Sequence, residues 1–239
     1  MTRMTNFFAA LFYLAAVVFI GGVAWRARLY ARTPAPLKIP TTPAPFTRGG
    51  VALRMLREVV LFESLFKASR WTWLFGWLFH FGLLLVLLRH LRYVTDPVWG
   101  WVAWLQPAGV YGGFAMLIGL AGLWARRLCV DRVRYISSPS DHLHLALLAA
   151  IAGSGLAVKY FWHTDIVAVK NFARGWLAFA PAPLPADPAL LAHLAAAALL
   201  FLIFPISKLM HAPGLFFSPT RNQVDDSRAR RHAPADAAA

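Results

Sequence analysis

Cysteine is nearly absent from this chain, and that scarcity closes several routes at once. A single thiol, Cys129, cannot form an internal disulfide, cannot supply a CxxCH site for covalently attached haem, and cannot hold an iron–sulfur cluster on cysteines of this chain. Charge is scarce as well. Only 14% of the 239 residues are charged and only 10 are Asp or Glu, below the charged fraction of an ordinary soluble domain. Also missing are a repeat of 20 to 50 residues and a stretch that reads as a separate soluble domain.

Apolar sequence is abundant. Hydrophobic residues make up 59% of the chain, more than a soluble domain of this size can hide from water. Crossing ~30 Å of hydrocarbon at 1.5 Å per residue takes roughly 18 or more apolar residues. Five runs reach that length, at about 6–25, 71–93, 108–125, 142–162 and 188–210. The fold class expected is therefore all-α, an integral membrane bundle of about five transmembrane helices over 1–212, followed by a polar tail over 213–239 that is flexible beyond Asp226. The first run is longer than a signal-peptide core and no small-residue cleavage site follows it, so it reads as a retained span. Trp71, Trp73, Trp77 and Tyr93 flank the second run as interfacial anchors.

The formal charge of +14 sits in loops between the spans and not in a stripe interleaved with aromatics, which argues against nucleic acid as a partner. Eighteen of the 24 Lys and Arg fall on one side of the five-span topology. The positive-inside rule then puts the N-terminus outside, which for a bacterial inner membrane is the periplasm, and the C-terminus in the cytoplasm. Much of that charge lies in the segment 26–70. Its first part, 33–46, is Pro-rich and reads as extended. Its second part places Val51, Met55, Val59, Phe62 and Phe66 at spacings of four and three, the pattern of one helix over Val51–Lys67. Such a helix lies on the membrane surface or simply connects two spans.

Histidine is where chemistry enters. An ionisable residue inside a span is costly, so each one asks for a partner. His80 and His90 share the second run ten residues apart, about 15 Å along a helix and about 80° in rotation. His193 and His211 bracket the fifth run with eighteen residues between them, five full turns if the helix is regular. These runs are antiparallel, which pairs His90 with His193 at one depth and His80 with His211 at another. Two imidazole pairs at two depths suit two bis-histidine haem b groups, each ring ligating iron through one nitrogen while its other N–H finds an acceptor. The axial separations, about 15 and about 27 Å, do not match, and helix tilt with a kink near Pro205 would absorb only part of the difference. The alternative is that the imidazoles are polar side chains bonded to helix carbonyls. Gly76, Gly82, Gly153 and Gly155 either make room for a macrocycle or let helices pack closely. His142, His144 and His163 lie at the span mouths and read as solvated. His232 lies in the tail and reads as inert.

With these spacings the chain resembles the NarI-like di-haem cytochrome b subunits, the nitrate reductase gamma subunit family. That family has five spans, an outside N-terminus, and histidine pairs spaced ten on the second span and eighteen on the fifth, as in His80/His90 and His193/His211. Within it, FESLFKASRWTWLFGWLFHFGLLLVLLRHLRY (62–93) and FSPTRNQVDD (217–226) are similar to the DsrM branch, the membrane cytochromes b of DsrMKJOP complexes of dissimilatory sulfur metabolism. The resemblance implies haem ligation by His90 with His193 and by His80 with His211. It implies menaquinone or ubiquinone reacting near the outer haem, where Gly82, Arg89, Arg92 and Lys159 are candidates for lining the quinone site or binding propionates. It also implies a DsrK-like cytoplasmic iron–sulfur subunit, a periplasmic multihaem cytochrome and a second membrane subunit as partners. Two other classes compete: a proton relay or transporter, which calls for broken helices or midplane acids, and a haem-free membrane anchor.

Overall fold

The computed structural model describes residues 3–34, 40, 42–226 and 228. Residues 35–39 and 41 of the Pro-rich stretch and the end of the tail, with His232, lie outside the described residues. The described residues contain helix and no strand, as an all-α membrane bundle requires. Five helical segments are long and apolar enough to cross a membrane: Arg3–Arg32, Arg70–Tyr93, Gln106–Cys129, Pro139–Trp162 and Pro188–Ile206. All five expected spans are present, and the protein is a multi-pass membrane protein.

The chain separates into two compact units. The larger joins the start of helix α1 (Arg3–Arg32) to everything from Ser69 to Leu202. Its core is a seam between α4 (Arg70–His90) and α6 (Gln106–Cys129), followed by α8 (Pro139–Ala157) on α6. The seam is close because glycines face it. A Cβ on Gly82 would lie 2.6 Å from the Gly112 carbonyl oxygen, and one on Gly119 would lie 2.7 Å from both the Phe75 carbonyl oxygen and the Phe79 nitrogen. Small residues of this kind let helix backbones approach where lipid gives no hydrophobic drive for association. Phe79, Met116, Leu120, Leu145, Leu148 and Ala152 form the buried cluster that ties the three helices together. A second cluster packs Phe8 and Ala9 of α1 with Phe172 of α9 (Ile166–Leu177), with Leu184 of the loop that follows α9, and with Leu190 of α10 (Pro188–Ile203).

Before α6 lies a short helix, α5 (Gly100–Trp104), and after it another, α7 (Asp131–Tyr135). The mouth of α8 is set by a capping box in which Ser138 and Asp141 satisfy each other's backbone and side chain. Asp141 is buried and lies 3.8 Å from Arg127. At its other end α8 widens into a π-helical turn, Val158–Trp162, which stops at His163 in the left-handed conformation. α9 is held to the loop before α5 by Lys170 and Arg174, which pair with Asp96 at 3.0 and 2.5 Å. Those two cations, the Lys170 hydrogen bond first, hold the Asp96 carboxyl below its ordinary value.

The smaller unit runs from Phe19 to Ala68 and resumes at Ile203. Here the expected single helix over Val51–Lys67 is two helices, α2 (Arg48–Leu61) and α3 (Glu63–Ala68). Phe62 between them takes a left-handed conformation with φ 50° and ends α2. Glu58 fixes the junction. It accepts from the Ser64 backbone N–H and hydroxyl and pairs with Arg221 at 3.1 Å.

The fifth span departs from the regular helix assumed for it. α10 ends at Ile203, a 3₁₀ turn holds Phe204–Ile206, and Ser207 is extended before a second 3₁₀ turn, Lys208–Met210. Pro205 has no N–H to continue the ladder. Its ring takes the space a Cβ on Gly22 would need, at 2.6 Å, and its carbonyl accepts from Arg26 Nε at 3.1 Å. The five-turn arithmetic that put His193 and His211 on one face does not extend past Ile203. The break falls at the end of the span and not at its middle.

Candidate functional site

His90 and His193 meet inside the larger unit. Their rings lie 6.2 Å apart between centroids and within 16° of parallel. Both rings are turned the same way by the same device. His90 Nδ1 donates to the Val86 carbonyl at 2.7 Å, and His193 Nδ1 donates to the Ile151 carbonyl at 3.0 Å with Ser154 Oγ at 3.1 Å. A carbonyl only accepts, so each Nδ1 carries the proton and each Nε2 presents its lone pair. Gly155 leaves room for the His193 ring: a Cβ there would lie 3.1 Å from its Cε1.

That spacing would leave room for a metal held between the two imidazoles. Twice a metal–nitrogen bond of about 2.0 Å, plus the distance from each Nε2 to its ring centre, comes to a little over 6 Å. Among the described residues no three of His, Cys, Asp or Glu converge, so the imidazoles meet as a pair, the donor set a haem takes.

The other two histidines are prepared in the same way at other places. His80 Nδ1 donates to the Gly76 carbonyl at 2.7 Å, and the ring meets Phe79 edge-on. His211, at the start of α11 (His211–Gly214) in the smaller unit, donates from Nδ1 to the Lys208 carbonyl at 2.9 Å. All four sequence-predicted ligands therefore have Nδ1 engaged by a backbone carbonyl.

The remaining candidates are distributed around the C-terminal end of α4. Arg89 Nη1 donates to the Gln106 backbone carbonyl at 2.5 Å, and Arg92 Nη1 donates to its side-chain Oε1 at 3.0 Å. Gln106 Nε2 in turn donates to the Val102 carbonyl at 3.0 Å. Gly109 admits the Arg89 stem, since a Cβ there would lie 2.5 Å from Arg89 Cβ. Lys159 sits in the π-turn with its ammonium 5.5 Å from the Tyr160 ring centre. Gly82 faces α6 in the helix seam, and its geometry is that of close packing.

Sequence reasoning missed Gln106, which joins the two arginines; nothing in its position as the first residue of a span announces that role. Two of the three mouth histidines, His142 and His144, also differ from the solvated reading. His142 is half-buried and accepts from Trp124 Nε1 at 3.0 Å. His144 Nδ1 donates to the Ser140 carbonyl at 2.6 Å, and its Nε2 is buried. His163 is exposed.

Comparison with known proteins places this arrangement. The family model described as "Nitrate reductase gamma subunit" matches residues 64–224. A "Hdr-like menaquinol oxidoreductase cytochrome b-like subunit" of Archaeoglobus fulgidus is 39% identical over 273 aligned positions, covering 94% of this chain and 82% of that protein. Its namesake in Archaeoglobus profundus is 36% identical, covering 97% and 83%. The "Respiratory nitrate reductase 1 gamma chain" of Escherichia coli is 30% identical over 152 positions, covering 56% of this chain and 68% of that one. The match takes in α4, α6, α8 and α10 with all four carbonyl-anchored histidines, and the chain belongs to the nitrate reductase gamma subunit family.

Proposed function

We propose that this protein is a di-haem cytochrome b that carries electrons across the membrane between a quinol pool and a soluble redox partner. The observation that carries the reading is the His90–His193 pair, two rings 6.2 Å apart with both Nδ1 protons tied to carbonyls. These two histidines would hold one haem b, and His80 and His211 the second. Haem iron, when bound, accepts and releases single electrons. The chain's own part is to fix each imidazole tautomer through its carbonyl, to seat the ring faces, and to set the potentials through burial and nearby charge.

Arg89 and Arg92, gathered by Gln106, put positive charge beside the His90 level, where a quinone headgroup or a propionate would be held; Lys159 is a further candidate there. The names of the Archaeoglobus relatives support menaquinol as the donor. The basic residues orient this end outward and the His80 end toward the cytoplasm. A DsrK-like iron–sulfur subunit is the partner we place on the cytoplasmic face, with a periplasmic multihaem cytochrome and a second membrane subunit completing a complex of sulfur metabolism. The chain's one thiol cannot by itself hold an iron–sulfur cluster, which supports a separate cluster-bearing partner.

The test is a reduced-minus-oxidised spectrum with a pyridine haemochrome assay on the detergent-purified chain. Two b haems per chain, reducible by a menaquinol analogue, are expected. A folded chain without haem would leave the membrane-anchor reading in its place.

A further inference from the structure

Four histidines have their Nδ1 on a backbone carbonyl and an assigned use for Nε2. A fifth, His144, has the first without the second. Its Nδ1 donates to the Ser140 carbonyl at 2.6 Å, as His80 and His90 do to carbonyls four residues earlier. Its Nε2 is buried and has no hydrogen-bond partner among the described residues. A buried polar nitrogen left unmet costs about 1–3 kcal/mol, so a nitrogen aimed in this way points to an occupant.

Its direction and level follow from the helices around it. On α8, His144 lies eleven residues before Gly155, which on a regular helix is a rotation of about 20°. The missing Cβ of Gly155 points at His193, so His144 points to the same side of α8. α6 gives the level. Gly119 abuts Phe79 of α4, and Trp124, five residues on, bonds His142 of α8. Stepping back up α8 puts its position 147 level with Phe79, and His144 three to four residues, about 5 Å, nearer the α8 mouth than His80. Leu145 and Leu148, beside His144, share one buried cluster with Phe79, the neighbour of His80.

We infer that His144 Nε2 hydrogen-bonds a propionate carboxylate of the haem held by His80. The inference rests on the di-haem reading above. Beyond its iron, such a haem would offer two propionates as its polar groups, and His144 lies toward the mouth from the level of the His80 ring. One proton shared between Nε2 and the carboxylate satisfies both in an apolar surrounding. It also withdraws negative charge from near the iron and so favours the reduced state.

Two substitutions isolate this role. In H144N the amide keeps a donor where Nδ1 stands and loses the reach of Nε2, whereas H144Q places a donor near the Nε2 position. Optical redox titration of the purified chain reads both haems separately. Wild type with two b haems is the starting point, and its failure would defeat the di-haem reading itself. From there H144N is expected to keep both haems low-spin. It should lower the potential of the His80-level haem by about a tenfold shift in its redox equilibrium, 59 mV for one electron, leave the other haem unchanged, and be largely reversed in H144Q. Unchanged potentials in H144N would overturn the inference. So would loss of the low-spin spectrum of that haem in H144N together with its survival in His211→Ala, which would make His144 a ligand of the iron.

Discussion

Gly155 offers a substitution whose effect on the His90–His193 pair can be worked out in advance. Under the di-haem proposal the ring separation of 6.2 Å would leave little slack for two bonds to one iron, and a Cβ at Gly155 would stand 3.1 Å from His193 Cε1. Ordinary carbon–carbon contact begins at about 3.5 Å, so Gly155→Ala pushes the ring by a few tenths of an ångström. The ring cannot swing freely, because its Nδ1 is held by the Ile151 carbonyl and Ser154 on the same helix. Gly153 provides the matched control. It lies two residues earlier on α8, about 200° around, and a Cβ there meets nothing within 4 Å. Alanine in place of a helical glycine favours the helix by about 1 kcal/mol. Gly153→Ala should therefore be neutral to stabilising, while in Gly155→Ala the same gain is opposed by an overpacking cost of about 1–3 kcal/mol directed at one ligand. The assay is thermal release of haem from the detergent-solubilised protein, followed at the Soret band for each haem. Gly155→Ala should lose the His90-level haem at a lower temperature than wild type, with the other haem unaffected. Equal behaviour of the two variants, or equal loss of both haems, would refute the reasoning.

Other substitutions probe the scaffold. Gly119→Ala drives a methyl group to within 2.7 Å of two backbone atoms of α4 and should destabilise the α4–α6 seam by about 1–3 kcal/mol, measured as a lower unfolding midpoint in denaturing detergent; Gly21→Ala, which meets nothing, should leave the midpoint unchanged or slightly raised. Asp96 has its carboxyl lowered by Lys170 and Arg174, so the tie between its loop and α9 is fully present above the ordinary carboxylate value of about 3.9 and is lost as pH falls through the lowered one. Asp96→Asn at neutral pH should raise amide exchange in α9 as acid does in the wild type, and an unchanged exchange pattern would contradict the pairing.

The five spans were legible because apolar run length is itself the physical requirement for crossing a bilayer. Their ends were less so. α1 extends to Arg32 and α6 to Cys129, since a helix does not stop where hydrophobicity does and arginine is a good helix former. The break after Ile203 was signalled by Pro205, whereas the break at Phe62 was not, because a left-handed phenylalanine leaves no mark in composition. α9 carries an Asp165 cap that accepts from Val167 and Ala168, a start signal readable in the sequence between the fourth and fifth apolar runs. The histidine spacings brought His90 and His193 into view. What sequence could not give is the carbonyl behind each Nδ1. His144 stood in plain sight yet read as a solvated mouth residue, because burial of one nitrogen depends on neighbours contributed by other helices.

The most direct measurement is haem stoichiometry with ligand assignment in the purified wild type, His90→Ala and His211→Ala. Two b haems in the wild type, with each substitution removing a different one, is the predicted result. A folded wild type without haem, or loss of the same haem in both variants, would contradict the account.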